Sequence, residues 1–550
     1  MSQDRGESSD SSRNILRGTS IVGLLTLLSR ILGFVRDMVL AMVFGAGVLT
    51  DAFVVAFRIP NLLRSMFAEG AMTSAFVPVF CGELARGRNE ARQAIRSVTG
   101  LLLALTLLLS LLGIIFAREL VSAISPGYLD DPSKFELCIR LTRIMLPYIV
   151  FVSLVALVGG ALNAVRIFGM PAVSQVVMNI TLISGALLAA LYDPLTGMTV
   201  LAISVIAGGL AQVAIQLPAL RRAGLSIWPS WNIFSAANRQ VLALLLPAVI
   251  GANIYQVAVF LSTLLASMLA DGSQSWFFFA DRLVQFPIGT FSVALASVLL
   301  PTLAMHAARK EEAAFGQGLS NSLRYTSFFM IPAAFLMFYL AEPLVVLLFE
   351  RGAFDRHSSI MTSLAVQAMA LGLWSLSCNS LLKSAFIARK DTVTPTLAGL
   401  FTLLVNIPLA ILLMGPVTRI PDSTVSAVLA FVRDLPGLSW LAADFRHAGL
   451  GLASSSAYLL TSFLLLSLLH RRIGVDLREF RLATLRSLIS SMLMIAALYW
   501  LVPHYAFAHW QQILLALPLG ALVYLAASRL LGSCEVPEIA RLISSRILKK

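Results

Sequence analysis

Apolar segments long enough to cross a bilayer recur along nearly the whole chain, from Ile21 to Leu531. A helix needs about 20 such residues to span the hydrocarbon layer. Because that layer offers the backbone no hydrogen-bond partners, only helices and closed barrels can cross it. The segments are continuous and rich in Leu and Ala, whereas barrel strands alternate polar and apolar residues over about ten positions. The sequence therefore predicts an all-α polytopic membrane bundle.

Polar residues, prolines and glycines cut the apolar sequence into about fourteen predicted transmembrane helices. The composition agrees, because 58% of the 550 residues are hydrophobic and only 13% are charged. The first span lacks a small-residue cleavage site, so we expect a retained helix and not a signal peptide. The predicted spans cover residues 15–43, 51–81, 94–124, 137–165, 171–192, 197–221, 240–270, 273–306, 318–349, 358–388, 392–414, 448–470, 484–503 and 510–532.

Basic residues mark every second loop between the predicted spans. Short cytoplasmic loops carry an excess of Lys and Arg, so this alternation predicts that both termini face the cytoplasm. It also accounts for the net charge of +13, and no nucleic-acid partner is needed to explain it. Four arginines depart from the pattern at the outer side, namely Arg140, Arg143, Arg351 and Arg356. The basic loops and tails include Arg17, Arg86, Arg96, Arg166, Arg221, Arg222, Arg239, Arg309, Lys310, Arg389, Lys390, Arg471, Arg472, Lys549 and Lys550.

Short motifs recur about 224 residues apart, which indicates an internal repeat. Ala-Arg-Glu-Leu-Val at 117–121 resembles Ala-Glu-Pro-Leu-Val at 341–345. Each copy holds an even number of predicted spans, so both copies keep the same orientation, as in transporters built from parallel repeats. Further pairs are Gly47 with Gly272, Pro78 with Pro301, Arg166 with Arg389, Pro171 with Pro395, and Arg58 with Arg282.

The repeat predicts two pseudo-symmetric six-helix lobes, two additional C-terminal helices and a polar tail at each end. The C-terminal lobe includes a long outer insertion, whose apolar stretch Val425–Val432 predicts a short surface helix. The parts are a cytoplasmic tail at 1–14, the N-terminal lobe at 15–222, the C-terminal lobe at 239–470 with its insertion at about 415–447, the last two helices at 484–532, and a cytoplasmic tail at 533–550.

Charged residues inside the predicted spans concentrate in spans one, two and eight. An arginine in the middle of a membrane costs about 2.5–3.5 kcal/mol on insertion scales, so each one requires a reason. On an ideal helix Arg30 shares a face with Asp37, and Asp51 shares one with Arg58. The set comprises Arg30, Arg36, Asp37, Asp51, Arg58, Arg64, Glu69, Asp281 and Arg282.

Two interpretations of these charges stay open. Structural ion pairs, or arginines that extend to the membrane surface, explain Asp51, Arg58 and Asp281 as well as a functional role does. For the remaining arginines we favour a central basic cavity, because guanidinium groups bind phosphate oxygens in a bidentate fork. The predicted substrate-binding residues are Arg30, Arg36, Arg64 and Arg282.

Gly33 and Pro60 are candidate hinges within the charged spans. Gly33 lies between Arg30 and Arg36, and Pro60 precedes Arg64 in the second span. Proline interrupts the hydrogen bonding of a helix and permits a kink, and glycine lowers helix stability. We therefore expect bending at these two positions.

The remaining reactive residue types predict neither a catalytic site nor a metal site. The four cysteines are scattered without metal-type spacing, and the six histidines lie in loops or near span ends. Gly45–Gly47 predicts a tight turn and not a nucleotide loop, because no Lys-Ser/Thr follows it. The sequence therefore favours a transporter over an enzyme, without a cofactor.

Ser29–Asp37, with the sequence Ser-Arg-Ile-Leu-Gly-Phe-Val-Arg-Asp, is the first of several family motifs. In these motifs the chain strongly resembles the MurJ (MviN) family of lipid II flippases, within the multidrug/oligosaccharidyl-lipid/polysaccharide exporter superfamily. The resemblance extends over nearly the whole chain. The other motifs are Thr50–Phe53, Pro60–Arg64, Phe67–Ala71, Ala75–Pro78, Ala280–Leu283 and Phe286–Pro287.

The resemblance implies a central cationic cavity between two lobes and a groove for the lipid tail at the last two helices. The implied substrate is the undecaprenyl-pyrophosphate disaccharide-pentapeptide precursor of peptidoglycan, moved from the cytoplasmic to the periplasmic leaflet of the bacterial inner membrane by alternating access. Membrane lipids and the cell-wall synthesis machinery are the implied partners. The family's essential arginines match Arg30, Arg36, Arg64 and Arg282, and its acidic positions match Asp37, Asp51 and Glu69.

Two departures from the family pattern concern a family carboxylate and the family's sodium site. Gln285 stands where some members carry Glu, and no carboxylate lies in the seventh or eleventh predicted span, where part of the family binds sodium. We therefore expect the membrane potential as the driving force, at about 2.3 kcal/mol per charge per 100 mV, and no sodium site.

Three alternatives compete with a flippase. A cation-coupled drug exporter of the same superfamily would favour a cavity rich in carboxylates, whereas the predicted cavity is rich in arginine. An intramembrane enzyme acting on isoprenyl phosphates needs clustered acidic or histidine residues. A structural scaffold has no use for costly buried charges. The sequence favours the flippase.

Overall fold

The computed structural model describes residues 3–64, 72–251, 254–416, 427, 429, 431–432, 443–474, 476–503, 507–538 and 541. Over these residues the structure is helical, with one isolated β-bridge between Met414 and Asp444. The predicted all-α fold class is confirmed. The predicted surface helix at Val425–Val432 lies mostly outside the described residues, so it stays a prediction.

The first eleven described helices of the chain extend to the end of the predicted seventh span. A 3₁₀ turn at Pro126–Tyr128 separates α5 from α6. The helices are α1 Gln3–Phe44, α2 Val48–Arg64, α3 Met72–Arg86, α4 Arg88–Ile115, α5 Ala117–Ile124, α6 Pro132–Met145, α7 Tyr148–Ala164, α8 Gly169–Ala189, α9 Pro194–Arg222, α10 Ala236–Gly251 and α11 Ile254–Ser267.

The remaining helices begin with the predicted eighth span, in which a π-helical turn at Ile288–Ser292 lies between α12 and α13. They are α12 Ser273–Pro287, α13 Val293–Ala308, α14 Glu312–Tyr339, α15 Ala341–Phe349, α16 Arg356–Ala370, α17 Leu373–Ala388, α18 Val393–Leu413, α19 Arg446–Ile473, α20 Arg478–Leu501 and α21 His509–Leu530.

Among the described residues, nine helical segments are long and apolar enough to cross a membrane, or eleven if each of two bent pairs counts as one span. The bent pairs are α14 with α15, at 67°, and α16 with α17, at 44°. The predicted spans at 15–43, 51–81 and 240–270 are not among these segments. The first of them carries several charges, and the other two include the undescribed residues 65–71 and 252–253. A multi-pass membrane protein is confirmed, and the count of fourteen stays a prediction.

The chain forms two compact units. The first contains Met1–Ser267 with Arg351–Phe354, and the second contains Met268–Glu350 with Asp355–Lys550. In the first unit, α1 packs along α8 and α2 packs along α6. In the second unit, α12 packs along α16, and α14 packs along α20. The predicted lobe boundaries at 222 and 239 stay predictions.

The internal repeat is visible in the local backbone of both units. The long helix α4 is capped by Phe116 and the long helix α14 by Leu340, with φ of −92° and −89°. In each case a short helix follows directly. The N–H of the capping residue, Phe116 or Leu340, still donates to a carbonyl of the long helix at 2.8 Å. Arg166 and Lys390, which follow α7 and α17, both have a left-handed φ of 63°. The matched motifs therefore form matched helix ends.

The predicted tight turn at Gly45–Gly47 is confirmed between α1 and α2. Gly45 has φ of 66°, which glycine adopts without a steric penalty. The segment Arg351–Phe354 packs on this turn, where the N–H of Ala353 donates to the carbonyl of Met42 at 2.8 Å. A side chain at Gly45 would collide with the backbone of Ala353. Glycine is therefore required here both for the turn and for the close approach.

Candidate functional site

Arg36, one of the predicted substrate-binding residues, makes polar contacts with residues of two helices. Its Nε and Nη2 donate to Oδ1 of Asp37 at 2.9 and 2.8 Å, and its Nη1 donates to Oδ1 of Asn179 on α8 at 3.2 Å. The side chain is 21% exposed, whereas that of Asp37 is buried. A guanidinium carries five N–H donors, so these bonds hold Arg36 in place and leave donors for a ligand.

Asn179 fixes the position of Arg36 from the neighbouring helix. Its Nδ2 donates to the carbonyl of Ser29 at 3.0 Å, so the amide bridges two turns of α1. Gly33 faces this amide, because a Cβ at Gly33 would lie 3.6 Å from Oδ1 of Asn179. The helix continues through Gly33 without interruption. Bending at Gly33 stays a prediction.

Arg30 and Arg64 lie in the same unit and have different surroundings. Arg30 is exposed on α1. Arg64 is the last residue of α2, and its Nε donates to Oδ1 of Asn61 at 2.8 Å. Pro60 is buried within α2, which continues past it to Arg64. Glu69, the remaining acidic candidate of this span, lies outside the described residues.

Asp51 forms a buried ion pair that joins α2 to α6. Nζ of Lys134 lies 2.8 Å from Oδ2 of Asp51, and each side chain is only 1% exposed. The ammonium also lies 4.2 Å from the ring centroid of Tyr128, within range of a cation–π interaction. Asp51 shares a helix face with Arg58 in sequence, yet its close cationic partner comes from another helix.

Arg58 connects α2 to α11. Its Nη1 donates to Oγ1 of Thr263 at 2.7 Å and to the carbonyl of Val259 at 3.3 Å. Both acceptors are neutral oxygens of residues inside α11, and these contacts join α11 to α2 within the first unit.

Arg282 and Asp281 belong to the second unit, on α12. Cζ of Arg282 lies 4.7 Å from the ring centroid of Phe278, one turn earlier on the same helix. Oδ1 of Asp281 accepts a hydrogen bond from Nε2 of Gln285 at 3.4 Å. Both charged side chains are partly exposed. Gln285, the departure from the family pattern, therefore contacts the neighbouring carboxylate.

The guanidinium groups described above are able to bind an oxyanion. Among the described residues, we find no side chains arranged to make or break covalent bonds. Guanidinium groups at half-buried positions hold phosphate oxygens through charge-assisted hydrogen bonds. In the part of the chain that the structure describes, no three His, Cys, Asp or Glu side chains come together as metal ligands. The energy source, whether membrane potential or sodium, stays a prediction.

Sequence reasoning did not identify Lys134, Asn179 and Thr263. Lys134 follows the helix-capping pair Asp131–Pro132, whose aspartate accepts the N–H of Lys134 at 3.1 Å, so a cation buried at a helix start was predictable. Asn179 and Thr263 are uncharged, and a search for charges in the spans passes over them. A polar amide in the middle of a span, as at Asn179, is the signal that was available.

Comparison with known proteins identifies relatives over nearly the full length of the chain. The family model described as lipid II flippase MurJ matches residues 40–421. The chain is 32% identical to a Haemophilus influenzae protein named as a probable lipid II flippase MurJ, over 92% of this chain and 98% of that protein. It is 36% identical to the lipid II flippase MurJ of Burkholderia cenocepacia, over 72% of this chain and 77% of that protein.

Solved structures with the same fold agree. A lipid II flippase MurJ in an inward closed conformation superimposes with a TM-score of 0.73 at 24% identity, over 92% of this chain and 98% of that one. An inward-facing multidrug resistance transporter of the MATE family superimposes with a TM-score of 0.61 at 13% identity, over 81% and 94%. The fold is therefore shared with transporters of both families.

Proposed function

Since this chain belongs to the MurJ family of lipid II flippases, we propose that it moves lipid II across the bacterial inner membrane. The substrate is the undecaprenyl-pyrophosphate-linked precursor of peptidoglycan, and its headgroup passes from the cytoplasmic to the periplasmic leaflet for cell-wall synthesis. The relatives named above and the polytopic helical fold support this assignment. The chain is then a transporter and not an enzyme.

The observation that carries the substrate chemistry is the guanidinium of Arg36, fixed within a membrane helix. Asp37 and Asn179 hold it at a defined position through three hydrogen bonds. A pre-positioned guanidinium loses less conformational entropy on binding than a free one does, and its remaining donors suit a pyrophosphate oxygen. We propose that Arg30, Arg64 and Arg282 bind the same pyrophosphate while it crosses the membrane. The proposed supporting charges are Asp37, Asp51, Arg58, Glu69 and Asp281.

The mechanism we propose is alternating access with both termini in the cytoplasm. The pyrophosphate is held by arginines while the lipid tail stays in the bilayer, at a groove formed by the residues 484–532. Rocking of one lobe then exposes the headgroup to the opposite side, with bending at Gly33 and Pro60. The net movement of charge makes the membrane potential the natural driving force, at about 2.3 kcal/mol per charge per 100 mV.

The experiment that tests this function is complementation in cells depleted of their own flippase, at matched membrane expression. We expect wild type to restore growth and Arg36→Ala and Arg64→Ala to fail. A second readout is the movement of fluorescent lipid II in proteoliposomes, where Asn179→Ala should lower the rate roughly tenfold, because it removes one hydrogen bond to a charged group.

Arg118→Ala is the matched control, since Arg118 is an exposed arginine in an ion pair with Glu136. We expect it to behave as wild type in both assays. Failure of well-expressed wild type would indicate a different exported substrate. Equal rescue by wild type and by both arginine variants would show that these arginines are structural.

A further inference from the structure

The segment Leu225–Ser235, here called the aromatic loop, joins α9 to α10 in the first unit and has a fixed backbone. Gly224, with φ of 76°, ends α9 in a Schellman motif. The N–H of Leu225 donates to the carbonyl of Leu220 at 3.1 Å, and Leu225 itself is buried. The direction in which the chain leaves the helix is therefore set by the motif.

Backbone hydrogen bonds hold the middle of the aromatic loop against α4. The N–H of Ser230 donates to the carbonyl of Arg96 at 2.9 Å, and Nε of Arg96 donates to the carbonyl of Trp228 at 3.0 Å. A side chain at Gly100, one turn further along α4, would collide with the carbonyl of Ser230. Contact this close requires glycine, which shows that the loop lies directly on the helix.

The end of the aromatic loop is fixed by a buried asparagine at the start of α10. Nδ2 of Asn238 donates to the carbonyls of Asn232 at 3.2 Å and of Ile233 at 3.0 Å, and Asn238 has no exposed surface. Oγ of Ser97 donates to the same carbonyl of Asn232 at 2.9 Å. The loop is therefore an ordered platform and not a freely moving connection.

This platform presents three large aromatic side chains to the exterior. Trp228 is 75% exposed, Trp231 is 64% exposed and Phe234 is 81% exposed, at a spacing of three residues. The backbone that carries these rings is held against α4 and α10, so the three Cα positions are fixed on the exterior of the loop. A cluster of exposed rings of this size requires an apolar or amphipathic partner.

Exposed arginines surround the aromatic loop in sequence and in the fold. Arg221 and Arg222 form the last turn of α9, Arg239 lies in the first turn of α10, and Arg92 lies one turn before Arg96 on α4. By the distribution of basic residues this loop is cytoplasmic and begins where a predicted span ends. Tryptophan and arginine at such a position match the headgroup layer of a membrane, where indole rings and anionic phosphates meet.

We propose that the aromatic loop and its flanking arginines form a binding site for anionic phospholipids of the cytoplasmic leaflet. The rings insert at the level of the headgroups, and Arg221 and Arg222 pair with phosphate oxygens. The pyrophosphate of lipid II also carries phosphate oxygens that pair with arginine. We favour the surrounding phospholipids as the ligand, because the loop follows the end of a predicted span and its rings face outward. This site is independent of the proposed transport function.

The test uses the full chain reconstituted in nanodiscs of phosphatidylcholine and phosphatidylglycerol, followed by native mass spectrometry of the lipids that stay bound. We expect wild type to retain phosphatidylglycerol in preference to phosphatidylcholine. Arg221→Gln combined with Arg222→Gln should lower this preference roughly thirtyfold, because each of the two basic residues contributes about 1 kcal/mol near an anionic surface. Trp228→Ala, Trp231→Ala and Phe234→Ala together should lower retention of both lipids.

The matched control is Phe116→Ala with Tyr192→Ala, two exposed rings of the first unit outside the aromatic loop and outside the proposed lipid-tail groove, which should leave phosphatidylglycerol retention unchanged. The arginine pair is exposed, so its replacement tests the site even if the aromatic variant folds poorly. Equal retention of the two lipids by wild type would overturn the proposal, as would wild-type retention by the arginine variant. Displacement of phosphatidylglycerol by equimolar undecaprenyl pyrophosphate would also overturn it and would assign the site to the substrate.

Discussion

Helices α2 and α12 occupy corresponding places in the repeat, and they are anchored in different ways. Each begins after a glycine, Gly47 or Gly272, and each buries its fourth residue, Asp51 or Trp276. Asp51 forms an ion pair with Lys134, whereas Trp276 packs against two histidine rings. The ring centroids of His357 and His447 lie 5.6 and 4.9 Å from that of Trp276.

The two copies of the repeat therefore share the geometry of the helix start, whereas the residues that anchor the two helices make chemically different contacts. A buried ion pair is specific, because each charge depends on one partner and is costly without it. Aromatic packing depends on shape and area, so it tolerates a change of ring. We therefore expect α2 to be far more sensitive than α12 to a conservative replacement of its anchoring residue.

The largest effect is expected for Asp51→Asn. The substitution leaves the ammonium of Lys134 buried without its counter-charge, which typically costs about 3–5 kcal/mol. The measurement is the thermal unfolding of the purified protein in detergent, compared with wild type. Reconstituted transport should fall in parallel with the folded fraction, since the loss is one of stability.

The double variant Asp51→Leu with Lys134→Met sharpens this test. Replacing both members of a buried pair by apolar side chains is often neutral, so most of the lost stability should return. Equal destabilisation by the single and the double variants would mean that volume and not charge determines the effect. The α2 anchor would then resemble that of α12, and the comparison would fail.

A smaller effect is expected for Trp276→Phe at the corresponding position. In the described part of the chain Nε1 of Trp276 has no hydrogen-bond partner, although the side chain is buried. Phenylalanine removes this unpaired N–H and keeps most of the ring, so the loss of stability should be about 1 kcal/mol or less. Trp276→Ala is the positive control, at about 3–5 kcal/mol. A loss for Trp276→Phe as large as that for Asp51→Asn would show equally specific anchors.

The fold class could be predicted from sequence because the length of an apolar segment alone decides whether a helix can span a membrane. The bends could not be predicted in this way. The breaks at Phe116 and Leu340 are followed at once by polar pairs, Arg118–Glu119 and Glu342–Pro343, and yet both lie within single predicted spans, 94–124 and 318–349. The repeat of Ala-x-x-Leu-Val also marked them, and that motif gave similarity without geometry.

The candidate site was predictable at its charges but not at their partners. Helix periodicity placed Arg30 on the face of Asp37, whereas the structure shows an ion pair between Asp37 and the adjacent Arg36. The partners of Asp51 and Arg58 are Lys134 and Thr263, which lie on other helices of the same unit. Helix periodicity places residues on a face of their own helix, and it carries no information on which neighbour packs there.

The helices after the two left-handed residues Arg166 and Lys390 give a second contrast between the repeats. Asp391 lies two residues before α18 and holds its first turn, because its carboxylate accepts the N–H of Thr394 at 2.9 Å and the hydroxyl of the same residue at 2.6 Å. The corresponding residue before α8 is Ile167, which packs on the hydrophobic core of the first unit. One helix start is thus held by a titratable group and the other by an apolar one.

The effect expected for Asp391→Ala is also small, and it depends on pH. The hydroxyl and N–H of Thr394, aided by Arg472, lower the pKa of Asp391 to about 2, below the value of about 3.9 in an unfolded chain. A lowered pKa stabilises the fold above about pH 4, and this contribution is lost as the pH falls through about 2. Asp391→Ala should therefore cost about 1 kcal/mol at neutral pH, measured by thermal unfolding, with the difference from wild type closing between about pH 4 and about pH 2. Ile167→Ala, the control at the corresponding position, should show a difference that does not change with pH, and a constant difference for Asp391→Ala as well would remove the contrast between the two helix starts.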